Sequence, residues 1–231
     1  STIDGASRMS SVLGLKARPS RATFLPRSEP RCRSSLPITR RFWRSLTSIT
    51  ADSSWLYIGD FGNNDGDRTD LRIYRVALDA LLDPATNALQ ADTIRFSYPG
   101  QTDFTPAHNN NDRDLEAMIA MDDSLYLFSK NWVSGNCYLY RLPATPGDHP
   151  AERTDTLASQ GLVTGASYDT TTGNVALVGY TVGTYLPFVW RLSDYPGHAF
   201  FRGTAQRHAL FLPPTQTEGI AGAAERSARF N

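Results

Sequence analysis

Short apolar segments recur along this chain in a fixed order. Ser54-Trp55-Leu56-Tyr57-Ile58-Gly59-Asp60 is followed by Leu71-Arg72-Ile73-Tyr74-Arg75-Val76. Ser124-Leu125-Tyr126-Leu127-Phe128-Ser129-Lys130 is followed by Tyr138-Leu139-Tyr140-Arg141-Leu142-Pro143, and Asn174-Val175-Ala176-Leu177-Val178-Gly179-Tyr180 by Pro187-Phe188-Val189-Trp190-Arg191-Leu192. Each unit is an apolar strand, a polar or glycine-bearing turn, and an aromatic strand with an arginine near its end. A repeat of roughly 50–70 residues built from short strands predicts an all-β fold of the β-propeller type.

Local pattern places the elements. Trp55 to Ile58 is an unbroken apolar run, which predicts a strand buried on both faces. Gly59 to Asp67 reads as a loop, because Gly, Asn and Asp tolerate positive φ and bond to nearby backbone. Ala77 to Leu82 suggests a short helical turn, and Ala91 to Tyr98 alternates with period two, as a half-exposed strand does. Asp122-Asp123 and Thr170 to Asn174 are hairpin turns. Pro143 to Pro150 reads as a linker, with outer strands at Thr154 to Leu157 and His208 to Leu212. Successive units open near Trp43, at Asp114-Leu115-Glu116-Ala117, at Leu162-Val163-Thr164-Gly165 and at Gln216-Thr217-Glu218-Gly219-Ile220-Ala221. Three to four blades are therefore readable in residues 46–231, the last one incomplete, so the expected propeller is partial. Residues 1–45 form a Ser/Arg/Pro-rich arm in which Pro19, Pro26, Pro30 and Pro37 break any helix.

Charge sharpens that division. Residues 1–45 hold ten basic residues, including Lys16, against Asp4 and Glu29, a net +8. The whole chain has 23 residues of each sign, so residues 46–231 carry 13 basic and 21 acidic residues, a net −8. A basic arm on an acidic body suits nucleic acid or an anionic surface. It lacks the aromatic interleaving that stacks bases, which argues against a nucleic-acid partner and for an irregular leader. No apolar run approaches the ~18 residues of a membrane span. Cys32 and Cys137 lie in unlike surroundings and are read as free thiols. The chain starts Ser1-Thr2-Ile3-Asp4 with no apolar signal core, as a processed chain or a fragment would.

Candidate chemistry gathers where the units open. Glu116 and Glu218 occupy matching places, each followed by a small residue and then Ile and Ala within a few positions. First strands of a propeller line its channel, so these carboxylates would converge, and converging carboxylates call for a hard cation such as Ca²⁺. Asp114 and Asn111 would add oxygens. The alternative is that the glutamates bond to neighbouring backbone and hold no metal. The first unit breaks the pattern, with Arg44 near the matching place. Asp60, Asn63 and Asn64 lie in a loop that looks like a calcium loop but fails the EF-hand spacing, since Phe61 and Arg72 would fall on its first and twelfth places. They are read instead as turn residues and, with Lys130 and Trp132, as a ligand-contacting set at the channel mouth. His108, on the loop leading to Asp114, is the histidine placed to act as a general base. No Gly-x-Ser-x-Gly elbow, phosphate loop or dinucleotide fingerprint occurs.

Tyr57-Ile58-Gly59-Asp60-Phe61-Gly62-Asn63-Asn64, then Arg68-x-Asp70-Leu71-x-Ile73-Tyr74, Asp114-x-Glu116-Ala117 and Leu125-Tyr126-Leu127-Phe128-Ser129-Lys130 resemble a group of uncharacterised, often secreted bacterial β-propeller proteins. Thr164-Gly165-Ala166 and Glu218-Gly219-Ile220 fit the same pattern. The resemblance covers about residues 46–221. It implies a propeller and export from the cytoplasm, and no particular activity. More distantly, axial glutamates are similar to those of gluconolactonase-like calcium-binding propellers, in which an acidic residue would stand near Arg44.

The reading that follows is a non-catalytic extracytoplasmic binding module for a saccharide, a peptide or a surface protein. The rival is a calcium-dependent hydrolase of lactonase or phosphoesterase type, with Glu116, Glu218, Asp114 and Asn111 around the metal and His108 as base. A third reading gives the arm a nucleic-acid contact.

Overall fold

A computed structural model describes residues 25–26, 46–86 and 88–221. Fourteen strands appear in chain order: β1 (Leu25–Pro26), β2 (Leu46–Ala51), β3 (Trp55–Asp60), β4 (Arg72–Ala77), β5 (Gln90–Ser97), β6 (Leu115–Met121), β7 (Ser124–Ser129), β8 (Cys137–Pro143), β9 (Gly147–Pro150), β10 (Glu152–Leu157), β11 (Leu162–Asp169), β12 (Asn174–Tyr180), β13 (Pro187–Ser193) and β14 (Thr204–Ala209). Among the described residues a short helix, α1 (Leu78–Leu82), follows β4, and a 3₁₀ turn covers Phe200–Arg202. The protein is thus all-β. Among the described residues no helix is long and apolar enough to cross a membrane.

The strands form three sheets. The first runs β1-β5-β4-β3-β2, the second β10-β8-β7-β6 and the third β11-β12-β13-β14. From β2 to β5, from β6 to β8 and from β11 to β14, successive strands pair antiparallel. Asp122 and Asp123 make the β6–β7 turn at φ 48° and 55°, the double positive φ that a two-residue hairpin needs and that Asp tolerates.

Registers repeat from sheet to sheet. The arginines of the three aromatic strands sit at matching sites, Arg75 opposite Tyr57, Arg141 opposite Tyr126 and Arg191 opposite Ala176. Each first strand also carries one bulge at the same height. It leaves Thr47 unpaired between Leu46 and Ser48, Glu116 between Leu115 and Ala117, and Thr164 between Val163 and Gly165. The residue that matches Glu116 in the first sheet is therefore Thr47, three positions on from the expected Arg44, which lies outside the described residues. Strand β6 packs between β2 and β11, so these first strands lie side by side.

Two cores flank the middle sheet. Met118, Leu125, Leu127 and Leu142 pack with Tyr57, Ile73, Ile94 and Phe96 of the first sheet. The opposite face of the middle sheet, with Ala117, Ile119, Tyr126, Phe128 and Leu139, packs with Val163, Val175, Leu177, Leu192 and Phe200. Side chains alternate across a strand, so β7 sends Leu125 and Leu127 one way and Tyr126 and Phe128 the other. Every one of its six residues is buried.

Two elements depart from the sequence expectation. Within the expected 143–150 linker, β9 crosses to the first sheet and pairs parallel with β5, Ile94 opposite Gly147 through Ser97 opposite Pro150. Arg95 and Asp148 reinforce the crossing with hydrogen bonds of 2.8 and 3.1 Å. The last outer strand is β14 at Thr204–Ala209 rather than His208 to Leu212. An outer strand faces water on both sides, so its polar sequence carries no apolar signal, whereas Phe211 is fully exposed. Of the arm, β1 alone is described, and it adds two residues to the edge of β5, opposite Gln90 and Ala91.

Candidate functional site

The chemistry is concentrated where β6 meets its neighbours. The bulge at Glu116 frees that residue from strand pairing. Lys130 follows β7, and its backbone N–H donates to Asp114 O at 2.9 Å, extending the β6–β7 ladder by one rung. This puts the ammonium between two carboxylates, 3.1 Å from Glu116 Oε1 and 4.0 Å from Asp114 Oδ2. The Asp114 side chain is wholly buried, while those of Lys130 and Glu116 are 10% and 18% exposed. Asp114 is satisfied from three directions. Its Oδ1 accepts the Asn63 backbone N–H at 2.7 Å, and its Oδ2 accepts Trp132 Nε1–H at 3.3 Å and faces Lys130. The Trp132 ring centroid stands 5.0 Å from the same ammonium.

Two carboxylates against one ammonium leave a surplus negative charge in a poorly solvated place. Burial raises the Glu116 carboxyl to about 7, with Lys130 opposing the rise and Asp114 and Glu218 adding to it. Burial likewise raises Asp114, against the hydrogen bond from Asn63 and the charge of Lys130. Burial alone would depress Lys130, but Glu116 and Asp114 outweigh it and hold the ammonium above its ordinary value.

The segment after β14 closes over β11. Thr164 Oγ1 donates to Thr217 O at 2.5 Å. A Cβ on Gly165 would lie 2.9 Å from Gly219 Cα, so this close approach requires glycine. The segment reaches the place expected of a fourth first strand, although it forms no strand among the described residues. Glu218 is exposed, close enough to act on the charge of Glu116. The hydroxyls of Thr47 and Thr217 are buried without a hydrogen-bond partner among the described residues.

The remaining sequence-derived candidates serve to fasten loops. Asp60 is buried and takes Arg68 at 3.0 Å and Arg72 at 3.6 Å. Asn63 ties the first sheet to the second, donating its Nδ2 to Arg113 O while its Oδ1 accepts the Arg68 backbone N–H. Asn64 offers its carbonyl to Asn109 N–H and Asn111 Nδ2. Asn111 Oδ1 accepts Arg113 N–H, which leaves that side chain spent on loop geometry. His108 is 73% exposed and pairs its Nδ1 with Asp65 Oδ1 at 2.7 Å.

The structure thus brings together Asp114, Glu116, Lys130 and Trp132, with Glu218 beside them, and sets His108, Asp60 and Asn64 in separate roles. Among the described residues no three His, Cys, Asp or Glu side chains surround a point able to hold a metal. The donor set also suits Ca²⁺ poorly as it stands. The hydrogen-bonded ammonium sits where a divalent cation would bridge Glu116 and Asp114, and the Asn111 oxygen is already engaged. Lys130 and Glu116 each stand out in the sequence, but separately. Their pairing was hidden because a bulge, which no residue type signals, sets the direction of Glu116. In comparisons with protein-family models and with curated proteins, nothing matches the chain.

Proposed function

We propose that the three sheets are blades of a β-propeller, with a fourth first strand begun at Thr217-Glu218-Gly219, and that the protein is a non-catalytic, extracytoplasmic binding module. The matching registers, the three bulges and the side-by-side first strands support the propeller. Export rests on the resemblance to secreted bacterial propellers. The observation that carries the binding reading is the Lys130 ammonium, 3.1 Å from Glu116 and 4.0 Å from Asp114. It pairs with Glu116 and faces Asp114, so both axial carboxylates are engaged from within the protein. Such a centre is a rigid polar support for surfaces that meet a saccharide, a peptide or another protein.

One observation favours the rival, a calcium-dependent hydrolase. Glu116 titrates near neutrality, and Glu218 lies within range of it. That reading requires Lys130 to leave. Calorimetric titration with Ca²⁺, together with turnover of p-nitrophenyl esters, lactones and phosphodiesters, separates the two. A binding module gives no calcium heat above dilution and no turnover. Stoichiometric calcium binding that disappears in Glu116→Gln, with calcium-dependent turnover, would establish the hydrolase.

A further inference from the structure

Beside the axial cluster, a cleft of about 370 Å³ opens between the first and second sheets. That volume falls in the range of small-molecule sites, roughly 300–1,000 Å³. Its walls are tyrosines. Tyr98, just after β5, packs its ring 5.2 Å from that of Tyr140, and both are buried apart from the edges that reach the cleft. Tyr138 and Tyr140 alternate along β8, so they share one face, with ring centroids 6.5 Å apart. Arg153 is the β10 residue opposite Tyr140, and its guanidinium stands 4.4 Å over the Tyr138 ring. Arg113 enters from the other side on the loop that carries Asp114. Its backbone carbonyl is held by Tyr98 OH at 3.0 Å and by Asn63 Nδ2 at 3.4 Å.

Two arginines and one carboxylate, Asp112, line this cleft. Among the described residues neither Arg113 nor Arg153 has a carboxylate within ion-pair distance. The acidic wall residue, Asp112, spends its oxygens on Val133 N–H, Ser134 N–H and Tyr138 OH. Elsewhere Arg68, Arg72, Arg75, Arg95 and Arg202 hold aspartates, whereas Arg141 is spent on Ser124 and Arg207 lies over the Phe188 ring. Burial raises the Tyr140 phenol to about 12, so its hydroxyl remains a donor at neutral pH.

Aromatic faces accept the apolar face of a sugar ring, and guanidinium forks pair with planar or tetrahedral anions. An apolar ligand would desolvate two guanidiniums without return, and a bare inorganic anion would leave the tyrosine walls unused. We propose that this cleft binds an anionic sugar, a pyranose bearing a carboxylate or a sulfate. Its ring lies beside Tyr138, the half-buried tyrosine of the cleft, and its anion pairs with Arg113 and Arg153. This rests on the binding-module reading and adds to it a place and a ligand class.

The test is an amide NMR titration of the ¹⁵N-labelled chain with glucuronate, glucose, glucose 6-sulfate and a Glu-Gly-Glu peptide. Glucuronate or glucose 6-sulfate is expected to shift residues 98–101, 138–140 and 151–153, and the stronger of the two identifies the anion. Glucose should bind at least about tenfold more weakly, the worth of one charge-assisted hydrogen bond. Arg113→Gln and Arg153→Gln, each shown by its melting curve to fold, should each weaken the anion by a similar factor while leaving glucose unchanged. Three results would overturn the proposal. The first is no cleft shift at ~10 mM of either sugar anion, where even a millimolar Kd is mostly filled. The second is equal binding of glucose and glucuronate. The third is preference for the peptide, which would discard the sugar while leaving the binding module in place. Turnover of an ester, lactone or phosphodiester would instead remove the module reading itself.

Discussion

Replacing Lys130 with methionine keeps the stem of the side chain and removes its charge. Asp114 and Glu116 then face each other in a place where the Asp114 side chain has no contact with water. Removing one partner of a buried ion pair costs about 3–5 kcal/mol. The partial exposure of Glu116 puts the expectation at the lower end, about 3 kcal/mol. For a chain of this length 1 kcal/mol moves Tm by roughly 2–4 °C, so the loss is about 6–12 °C. The pH dependence supplies the control. Glu116 has a folded value of about 7 against an ordinary 4.5, so its contribution is fully present below 4.5 and is lost as pH rises through 7. Asp114 is raised too and acts in the same sense. Without Lys130 both carboxyls rise further, because it is the cation that opposes their rise, while Glu218 and the Tyr180 phenol on the same side add no positive charge. Thermal unfolding followed by circular dichroism should therefore show a larger deficit at about pH 8 than at about pH 5, and Glu116→Gln added to Lys130→Met should restore part of it. A variant as stable as the parent, or one weakened equally at both pH values, would refute an ion-paired centre.

Other expectations follow from neighbouring contacts. Gly165→Ala should lower Tm and speed hydrogen exchange in residues 216–221, because its methyl meets Gly219 Cα at 2.9 Å; unchanged exchange would place that segment elsewhere. Thr164→Val removes the donor to Thr217 O, and should cost about 1 kcal/mol in denaturant unfolding. Phe200→Ala deletes the ring that meets Tyr126 at 4.9 Å and Tyr195 at 5.0 Å, and should cost about 3–5 kcal/mol by the same assay. In a Cys32→Ser background Cys137, whose thiol burial pushes far above its ordinary value, should resist thiol reagents at about pH 8 until the chain is unfolded.

How far the chain could be read beforehand differs from element to element. The strands β3, β7, β8, β12 and β13 were visible because both of their faces are largely apolar, and β5 because it alternates. Asp122-Asp123 announced its turn through residues that accept positive φ. The outer strand β14 was misplaced, since a strand wet on both faces follows no apolar rule and Leu210-Phe211-Leu212 imitates one. Strand β9 was invisible for a different reason. Gly147-Asp148-His149-Pro150 has turn composition, and its pairing with β5 depends on a partner more than fifty residues away. At the site, Glu116 was legible as a first-strand carboxylate, and Lys130 as one of two lysines. That they bond to each other depends on the bulge and on the extra ladder rung to Asp114, both set by three-dimensional pairing. Asn63 and Asn111 look like ligand residues in sequence, but use their amides to join loops. The tyrosine cleft had a faint signal in Tyr138-x-Tyr140, and its arginines none, because their lack of partners is a property of the folded surface.

Two lysines in the whole chain make the ion-paired ammonium directly observable. Labelling lysine side chains with ¹⁵N yields signals from Lys16 and Lys130 alone. Lys130 Nζ–H should exchange slowly with water, and its shift should step near pH 7 as Glu116 loses its proton, a step absent from Glu116→Gln. Two fast-exchanging signals with no step between ~pH 5 and ~pH 9, like those of a free ammonium, would contradict the ion pair.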